Sequence, residues 1–354
     1  MKRKIKIYLL AILTSSGLYS KLYAQLPPSV DGNWQLNTGL SDEFNTLDLS
    51  KWNVIDLWQG ECCNWGGNSR FVTSNVTVTG GELLLKTDAP LPGATVPYDF
   101  WECCNTGGVN TLAENYQYGY YEIYAKLPGN YHNGLPNGQK FWPAFWTYHQ
   151  EFIGSTLTVH DEIDILEPSG SQYADGKTNV CGWHDENGSG STYKVGEGSY
   201  TSPNPLFTGY HKYGLEWNAD RIIFYFDDVP FYTSYNHSSL IMDPQKVVID
   251  LQIDAGVNDF NPSITFPQYM KVDYFRYYQL SKNCSTDVVI NNNTDLGNFI
   301  FSVKRNITIG NGASTINLNS GDIKTFRATN ETTINRDFTV PIGSELNIIP
   351  TPCN

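Results

Sequence analysis

The chain has 354 residues, of which 40% are hydrophobic and 17% are charged. This composition is too apolar for a disordered protein, and the length excludes a small domain held together mainly by disulfides. The 23 Lys and Arg residues against 36 Asp and Glu give a formal net charge of −13, which excludes the basic face that a nucleic-acid-binding protein needs. We expect one large domain followed by a small one.

The N-terminus has the pattern of a secretion signal. Residues 2–6 are rich in Lys and Arg, residues 7–18 form a short apolar run, and Ala24 is a small residue suited to cleavage before Gln25. A membrane anchor would need roughly 20 apolar residues. We therefore predict a signal peptide at residues 1–24, no transmembrane span, and a protein that is secreted or held at the cell surface.

The 7 cysteines suit the oxidising environment that secretion implies. Because the number is odd, one thiol is left over or pairs elsewhere. The two doublets are either cross-linked to each other or zinc ligands, although their spacing is not CxxC and no paired His accompanies them. The positions are Cys62-Cys63, Cys103-Cys104, Cys181, Cys284 and Cys353.

Residues 25–281 show little helical periodicity and many short alternating runs between Gly, Pro, Asn and Asp. The clearest runs are residues 75–79, 82–86, 120–126, 221–227, 246–253 and 271–278. Many short strands separated by turns predict an all-β fold, a curved antiparallel β-sandwich of the jelly-roll type. We expect one sheet to form a groove for an extended polymer.

An acidic strand at residues 160–168 is the most informative segment. Side chains alternate along a strand, so Glu162 and Asp164 share one face and Ile163 and Ile165 point into the core. Glu167 has the wrong parity for the acidic face, and a β-bulge near Leu166 would return it there.

Two glutamates held in this way suit a particular chemistry. A separation of roughly 5 to 5.5 Å between carboxyl groups is what double-displacement glycoside hydrolysis needs. Asp164 between them would hydrogen-bond the nucleophile and raise the pKa of the acid by like-charge repulsion. The alternatives are the solvated face of an edge strand and a Ca²⁺ site.

The composition changes after Tyr278, beyond which the chain has no Trp or Tyr and is rich in Asn, Thr, Ser and Ile. Short β-segments separated by Asn/Gly turns predict a stacked or sandwich β module at residues 282–354. A bridge between Cys284 and Cys353 would close it. Without Trp or Tyr platforms for sugar stacking, a spacer or attachment role is favoured over sugar binding.

Several motifs together resemble glycoside hydrolase family 16. Residues 162–167 (EIDILE) resemble its ExDxxE signature, and residues 141–146 (FWPAFW) resemble its WPAFW strand. Further matches in the family's order are residues 41–44, 51–52, 75–83, 118–128, 213–217 and 272–276. The resemblance covers residues 34–279. It implies a curved jelly roll and a retaining endo-hydrolase without a catalytic cofactor.

By position, the resemblance assigns Glu162 as the nucleophile, Glu167 as the general acid/base and Asp164 as the assisting carboxylate. It places Trp142 and Trp146 near the cleft, where they would stack on sugar rings.

Two further residues are candidates for substrate binding: His184, on the expected next strand, and Trp65, in a Gly-rich stretch at the cleft rim. Asp273 matches a family position that ligates a structural Ca²⁺ with backbone oxygens, near Gly81. We expect a monomer.

One departure concerns the substrate. Family members that cut β-1,3-glucan usually carry a Trp within a WPxxGEID run, and residues 157–161 (LTVHD) differ from it. The acidic net charge disfavours a highly sulfated galactan such as carrageenan, which would call for Arg or Lys clusters. A neutral β-glucan, β-1,3- or mixed-linkage, is therefore preferred over agarose- or porphyran-like galactan. A transglycosylase, a non-catalytic carbohydrate-binding protein and a Ca²⁺-holding surface protein remain alternatives.

Overall fold

The protein is described from a computed structural model. The structure describes residues 34–350 except 57–68, 90–103, 133–134, 138–140, 169–175, 186–192, 219–220, 235–240, 242, 254–264, 281, 298, 300–302, 311, 313 and 321–322. Several predicted features lie outside the described residues: the signal peptide, Trp65, Cys62, Cys63, Cys103 and Cys353.

The part up to residue 280 is built almost entirely of strands. In chain order they are β1 (Trp34–Leu36), β2 (Trp52–Val54), β3 (Ser69–Phe71), β4 (Val76–Thr79), β5 (Glu82–Thr87), β6 (Cys104–Thr106), β7 (Gly108–Thr111), β8 (Gly119–Lys126), β9 (Asn130–His132), β10 (Leu135–Asn137), β11 (Phe141–Ile153), β12 (Thr156–Glu167), β13 (Lys177–Asp185), β14 (Tyr193–Thr201), β15 (Tyr210–Trp217), β16 (Ile222–Phe226), β17 (Val229–Ser234), β18 (Lys246–Ile253) and β19 (Gln268–Leu280). One 3₁₀ turn, Thr73–Asn75, precedes β4.

Two large antiparallel sheets form the sandwich. The seven-stranded sheet has the order β14-β13-β12-β11-β18-β7-β2, and the eight-stranded sheet has the order β17-β16-β15-β8-β19-β5-β4, with β1 added beside β19. Two small pairs, β9 with β10 and β3 with β6, accompany them. The predicted all-β antiparallel sandwich is confirmed.

The core lies between the two sheets, because each sheet turns alternate apolar side chains inward. Ile163 and Ile249 of the seven-stranded sheet and Ile123, Leu215 and Phe275 of the eight-stranded sheet are fully buried in one cluster. The polar residues between them on the seven-stranded sheet therefore face away from the core.

The chain beyond residue 281 has a different architecture. Its elements are β20 (Lys282–Ile290), α1 (Asn293–Gly297), β21 (Val303–Ile309), β22 (Ile316–Asn317), β23 (Ile323–Ile334), β24 (Phe338–Thr339) and β25 (Glu345–Pro350). The order β20-β21-β23-β25 is parallel throughout, and β22 pairs with β24 in parallel as well. Ile307, Ile309 and Phe326 are buried in a separate cluster. This parallel stack begins where the composition predicts the module.

Among the described residues, no helix has the length and apolar character needed to cross a membrane.

Candidate active site

The acidic strand β12 lies in the middle of the seven-stranded sheet, between β11 and β13. The alternative of a solvated edge strand is therefore wrong. Asp164 is only 5% exposed, and burying a carboxyl group in a central strand is costly. Such a position indicates a chemical role more than a solubilising one.

A β-bulge interrupts β12 where the sequence predicts one. Trp146 of β11 lies opposite Asp164, but the next residue back, Phe145, lies opposite Leu166, so Ile165 has no partner on β11. On the β13 side the register also shifts between Asp164 and Glu167. The predicted bulge near Leu166 is confirmed.

The bulge changes which side chains face the core. Ile165 and Leu166 are neighbours in sequence, yet both are buried in the core between the sheets, at 2% and 0% exposure. Two consecutive residues on the inner side return Glu167 to the outer side. Glu162, Asp164 and Glu167 therefore share one face, which we call the acidic face.

Two acids of this face, Asp164 and Glu167, have raised pKa values. Burial raises the pKa of Asp164 well above its ordinary value, and the charges of Glu162 and Glu167 raise it further. Burial, with the charges of Glu162 and Asp250, raises the pKa of Glu167 to about 7. A carboxyl group in this range holds its proton near neutral pH, as a general acid must.

Asp250, on β18, is a fourth acid that sequence reasoning missed. It is fully buried, and Trp146 Nε1 donates a hydrogen bond of 2.9 Å to its Oδ2. Burial raises its pKa to about 7. The signal was present in the run of residues 246–253, where Asp250 alternates with the core residues Ile249 and Leu251.

Trp142 and Trp146 share one face of β11, as their spacing predicts, and the pairing of Trp146 with Asp164 makes it the acidic side. Trp142 is half-buried, and its indole N–H lowers the pKa of Glu167 against the larger effect of burial. Trp146 is only 8% exposed and packs in a second apolar cluster with Ile55 and Phe71. Trp146 therefore forms the floor of the site, and Trp142 keeps more ring surface for a sugar.

His184 does not face the acids. It lies opposite Asp161 on β12, and its Nδ1 is 2.5 Å from Asp161 Oδ1 on the inner side of the sheet. The expectation that it contacts the sugar is therefore wrong, because strand parity turns it away. Its neighbour Trp183 lies opposite Glu162, and its hydrogen bond lowers the pKa of Asp164. Alternation along β13, applied together with the pairing to β12, predicts that Trp183 and not His184 faces the acids.

His160 is a second group that the motif search left without a role. It precedes Glu162 by one strand period, and its Nε2 is 2.9 Å from Glu162 Oε2. Gln150 lies opposite His160 on β11, and its Nε2 is 3.1 Å from His160 Nδ1.

The predicted Ca²⁺ position combines Asp273 of β19 with Gly81, which lies in the turn between β4 and β5. Val272 pairs with Leu83, and Asp273 follows at a register shift in β19. No group of three or more His, Cys, Asp and Glu residues in the described ranges is arranged to hold a metal ion. A cation here would depend on backbone oxygens, so this site stays a prediction.

Comparison with known proteins places this geometry in a family. The profile of glycosyl hydrolases family 16 matches residues 63–275. Endo-1,3-1,4-beta-glycanase EglC of Rhizobium meliloti is 26% identical over 268 residues, which cover 69% of this chain and 52% of that protein. The kappa-carrageenase of Pseudoalteromonas carrageenovora is 28% identical over 274 residues, covering 69% of this chain and 64% of that protein. The chain thus spans about half to two thirds of the length of these relatives.

A solved structure shares the fold. The catalytic domain of an endo-1,3-beta-glucanase (laminarinase) from Thermotoga petrophila RKU-1 superimposes with a TM-score of 0.54 at 22% identity, covering 71% of this chain and 99% of that domain. The family profile spans more than half of the chain, so this protein belongs to glycosyl hydrolase family 16.

Proposed function

We propose that the protein is an endo-acting, retaining glycoside hydrolase that cuts a neutral β-linked polysaccharide, with β-1,3- or mixed-linkage glucan preferred over galactan. One observation carries the proposal. The bulge in β12 places Glu162, Asp164 and Glu167 on one face, where burial and the charge of Glu162 raise the pKa of Glu167 to about 7. One carboxylate and one protonated carboxyl group are the pair that double displacement requires.

In the first step, a carboxylate oxygen of Glu162 attacks the anomeric carbon, and the bond to the leaving oxygen breaks. Glu167 gives its proton to that oxygen and becomes a carboxylate. In the second step, Glu167 takes a proton from water, and the water oxygen displaces Glu162 from the same carbon. Asp164, whose buried carboxyl group is raised in pKa next to Glu162, shares a proton with the nucleophile and limits repulsion between the acids.

The charges of the site support a neutral substrate. Within the described part of the chain, no Lys or Arg is among the groups that lower the pKa of Asp164, Glu167 or Asp250. Sulfate esters are normally bound by such cations. Repulsion from the acidic face would weaken the binding of a sulfated chain.

A galactan is the second candidate substrate, since the kappa-carrageenase is about as similar to this chain as the glucanase is. Product analysis at high oligosaccharide concentration separates hydrolysis from transglycosylation, because a transglycosylase yields products longer than its substrate.

The test is reducing-end release from laminarin, lichenan, agarose, porphyran and kappa-carrageenan. Wild type is compared with Glu162→Ala and with Glu151→Ala, an exposed acid on the neighbouring strand β11 as a matched control. We expect one β-glucan to be cut by wild type and by the control, and by Glu162→Ala at a rate at least about 10³-fold lower. If wild type binds a polysaccharide and cuts none, the protein is a carbohydrate-binding protein instead.

The stereochemistry of the first product is a separate test. Proton NMR during hydrolysis should show the β-anomer appearing before mutarotation, because two displacements restore the configuration. Initial release of the α-anomer would contradict the role of Glu162 as nucleophile.

We also propose that the protein is exported, on the strength of the charged and apolar pattern of residues 2–24. Protein recovered outside the cell should begin at Gln25 by N-terminal sequencing. An intact residue 1 in that protein would contradict the cleavage.

A further inference from the structure

The nucleophile proposed above has a histidine beside it that the reaction scheme does not use. His160 Nε2 is 2.9 Å from Glu162 Oε2, within hydrogen-bonding range. The two side chains are 12% and 26% exposed, so the contact is largely shielded from water. His160, Glu162 and Asp164 share the same strand parity, and Glu162 therefore lies between a histidine and an acid.

Gln150 determines which nitrogen of the ring carries the proton. Its Nε2 is 3.1 Å from His160 Nδ1, and an amide nitrogen can only donate. With the amide in this orientation Nδ1 accepts, which places the ring hydrogen on Nε2. This arrangement points an N–H donor at the Glu162 carboxylate. Gln150 and His160 are direct partners across the β11–β12 ladder, which keeps their side chains adjacent.

We propose that His160 is a positioning residue for the nucleophile: the chain Gln150, His160, Glu162 holds the Glu162 carboxylate in its attacking orientation through one N–H donor. The proposal rests on the proposed function, because it assigns a role relative to Glu162. No proton leaves the imidazole at any step. The donor steadies the anion before attack and again when the carboxylate is displaced from the anomeric carbon.

This role predicts how the loss of the His160 hydrogen bond changes kcat and KM. A hydrogen bond to a charged group contributes enough free energy to change a rate by roughly 10- to 100-fold when it is lost. A misplaced carboxylate should slow formation of the glycosyl-enzyme more than it weakens substrate binding. The effect should therefore fall on kcat more than on KM.

The experiment compares His160→Ala, His160→Gln and a matched control, His149→Gln. His149 is also 12% exposed and also lies against glutamates, Glu114 and Glu151, but away from Glu162. Three quantities are measured: kcat and KM on the polysaccharide that wild type cuts, and the rate of covalent labelling of Glu162. The label is the 2,4-dinitrophenyl 2-deoxy-2-fluoro glycoside of the disaccharide that wild type releases, followed by intact mass.

We expect His160→Ala to lower the labelling rate and kcat about 10- to 100-fold with KM little changed. Because the Gln amide nitrogen can reach the position of Nε2, His160→Gln should recover most of the loss. His149→Gln should behave as wild type. Labelling of His160→Ala at the wild-type rate, or an equal loss in His149→Gln, would overturn the proposal.

A measurement on the unmutated protein covers the case in which His160→Ala fails to fold. Long-range ¹H–¹⁵N NMR spectra of the 6 histidines report the tautomer, and the His160 signals are assigned by their loss in His160→Gln or by their shift in Gln150→Leu. The expected result is a protonated Nε2 and an unprotonated Nδ1 for His160; the reverse tautomer would overturn the proposal. Failure of the proposed function looks different, since wild type itself would then release no reducing ends.

Discussion

Buried acids occur on both sheets of the sandwich, but their neighbours differ. On the eight-stranded sheet, Glu216 is fully buried. Its carboxylate accepts hydrogen bonds from Asn218 Nδ2 at 2.7 Å, Tyr225 Oη at 2.9 Å and Arg221 Nη2 at 3.1 Å. Burial raises the pKa of Glu216, while Arg221 and these donors lower it. The net effect still raises the pKa of Glu216, but these donors oppose burial and tie the carboxyl group into the structure.

On the seven-stranded sheet, the neighbours of the acids include other acids. The charge of Glu162 raises the pKa of Asp164, of Glu167 and of Asp250, and in each case it adds to the effect of burial. Trp142 is the donor that lowers the pKa of Glu167. Burial alone therefore does not distinguish the two sets of acids; burial next to other acids does, because it keeps a proton available near neutral pH.

The sharpest test of this comparison is Glu167→Ala. Loss of the general acid should reduce polysaccharide hydrolysis by about 10³- to 10⁴-fold. A dinitrophenyl glycoside needs no proton on its leaving group, so the burst of dinitrophenol that accompanies formation of the glycosyl-enzyme should keep nearly the wild-type rate. Reducing-end release measures the hydrolysis, and stopped-flow absorbance measures the burst. An equal loss on the two substrates would remove Glu167 from the role of acid.

The matching change on the other sheet is Glu216→Gln. Disturbing a buried carboxylate that is paired with Arg221 should lower the free energy of unfolding by about 3 kcal/mol. Because Glu216 lies on the eight-stranded sheet and not among the acids of the seven-stranded sheet, kcat/KM should not change below the unfolding temperature. Urea denaturation measures the free energy of unfolding, and steady-state kinetics measure kcat/KM. A large drop in kcat/KM with unchanged stability would contradict the division between the sheets.

The pH dependence of activity tests the coupling among the acids. With a Glu167 pKa of about 7, kcat/KM should fall as the pH rises through about 7, because the acid loses its proton. Asp250 raises that pKa, so Asp250→Asn should move the basic limb to lower pH. Asparagine can still accept the Trp146 N–H, which keeps the packing comparable. A basic limb at the same pH in both proteins would mean that the charge of Asp250 does not reach Glu167.

The substitution Asp250→Asn should also change the stability of the protein, by an amount that depends on pH. Folding raises the pKa of Asp250 from 3.8 to about 7, so the folded protein binds more protons than the unfolded chain between these values. The contribution of Asp250 to stability therefore falls as pH rises from about 4 to about 7. Asp250→Asn should unfold at a higher temperature than wild type above pH 7 and lose that advantage near pH 4. Calorimetry across this pH range measures the difference in unfolding temperature between the two proteins.

The smallest expected effect concerns a structural cation on the eight-stranded sheet. If Asp273 and backbone oxygens near Gly81 hold Ca²⁺, added CaCl₂ should raise the melting temperature of the EDTA-treated protein by about 2 °C. Asp273→Asn should remove that increase and leave the activity of the Ca²⁺-free protein unchanged. Equal increases in both proteins would place any Ca²⁺ elsewhere.

Much of the acidic face follows from local rules. Alternation alone puts Glu162 and Asp164 together, and the wrong parity of Glu167 requires a bulge, which β12 has near Leu166. Both tryptophans of the segment at residues 141–146 also share one face, as alternation predicts, although alternation does not say which face. These inferences hold because a strand buried on one face has only one acceptable register.

The wrong and missing predictions concern features that depend on how neighbouring strands pair. His184 was chosen for its position after the acidic strand, although the pairing of β12 with β13 places Trp183 opposite Glu162. Asp250 lies in a predicted strand, but no local rule links it to Glu167, because the two are 83 positions apart in the chain. In the C-terminal module, short strands were predicted, but their parallel stacking depends on which strands become neighbours.

The sequence by itself determined an all-β chain, the shared face of Glu162 and Asp164 and the need for a bulge, because side-chain periodicity and short-range spacing are properties of a single strand; the family followed from the resemblance of its motifs. Only the tertiary structure decided which donors and acids surround each carboxyl group: Asp250 and Trp142 near Glu167, and His160 with Gln150 beside Glu162. Those neighbours come from separate strands, and the pKa of a buried group depends on the charges and dipoles that packing brings within a few ångströms.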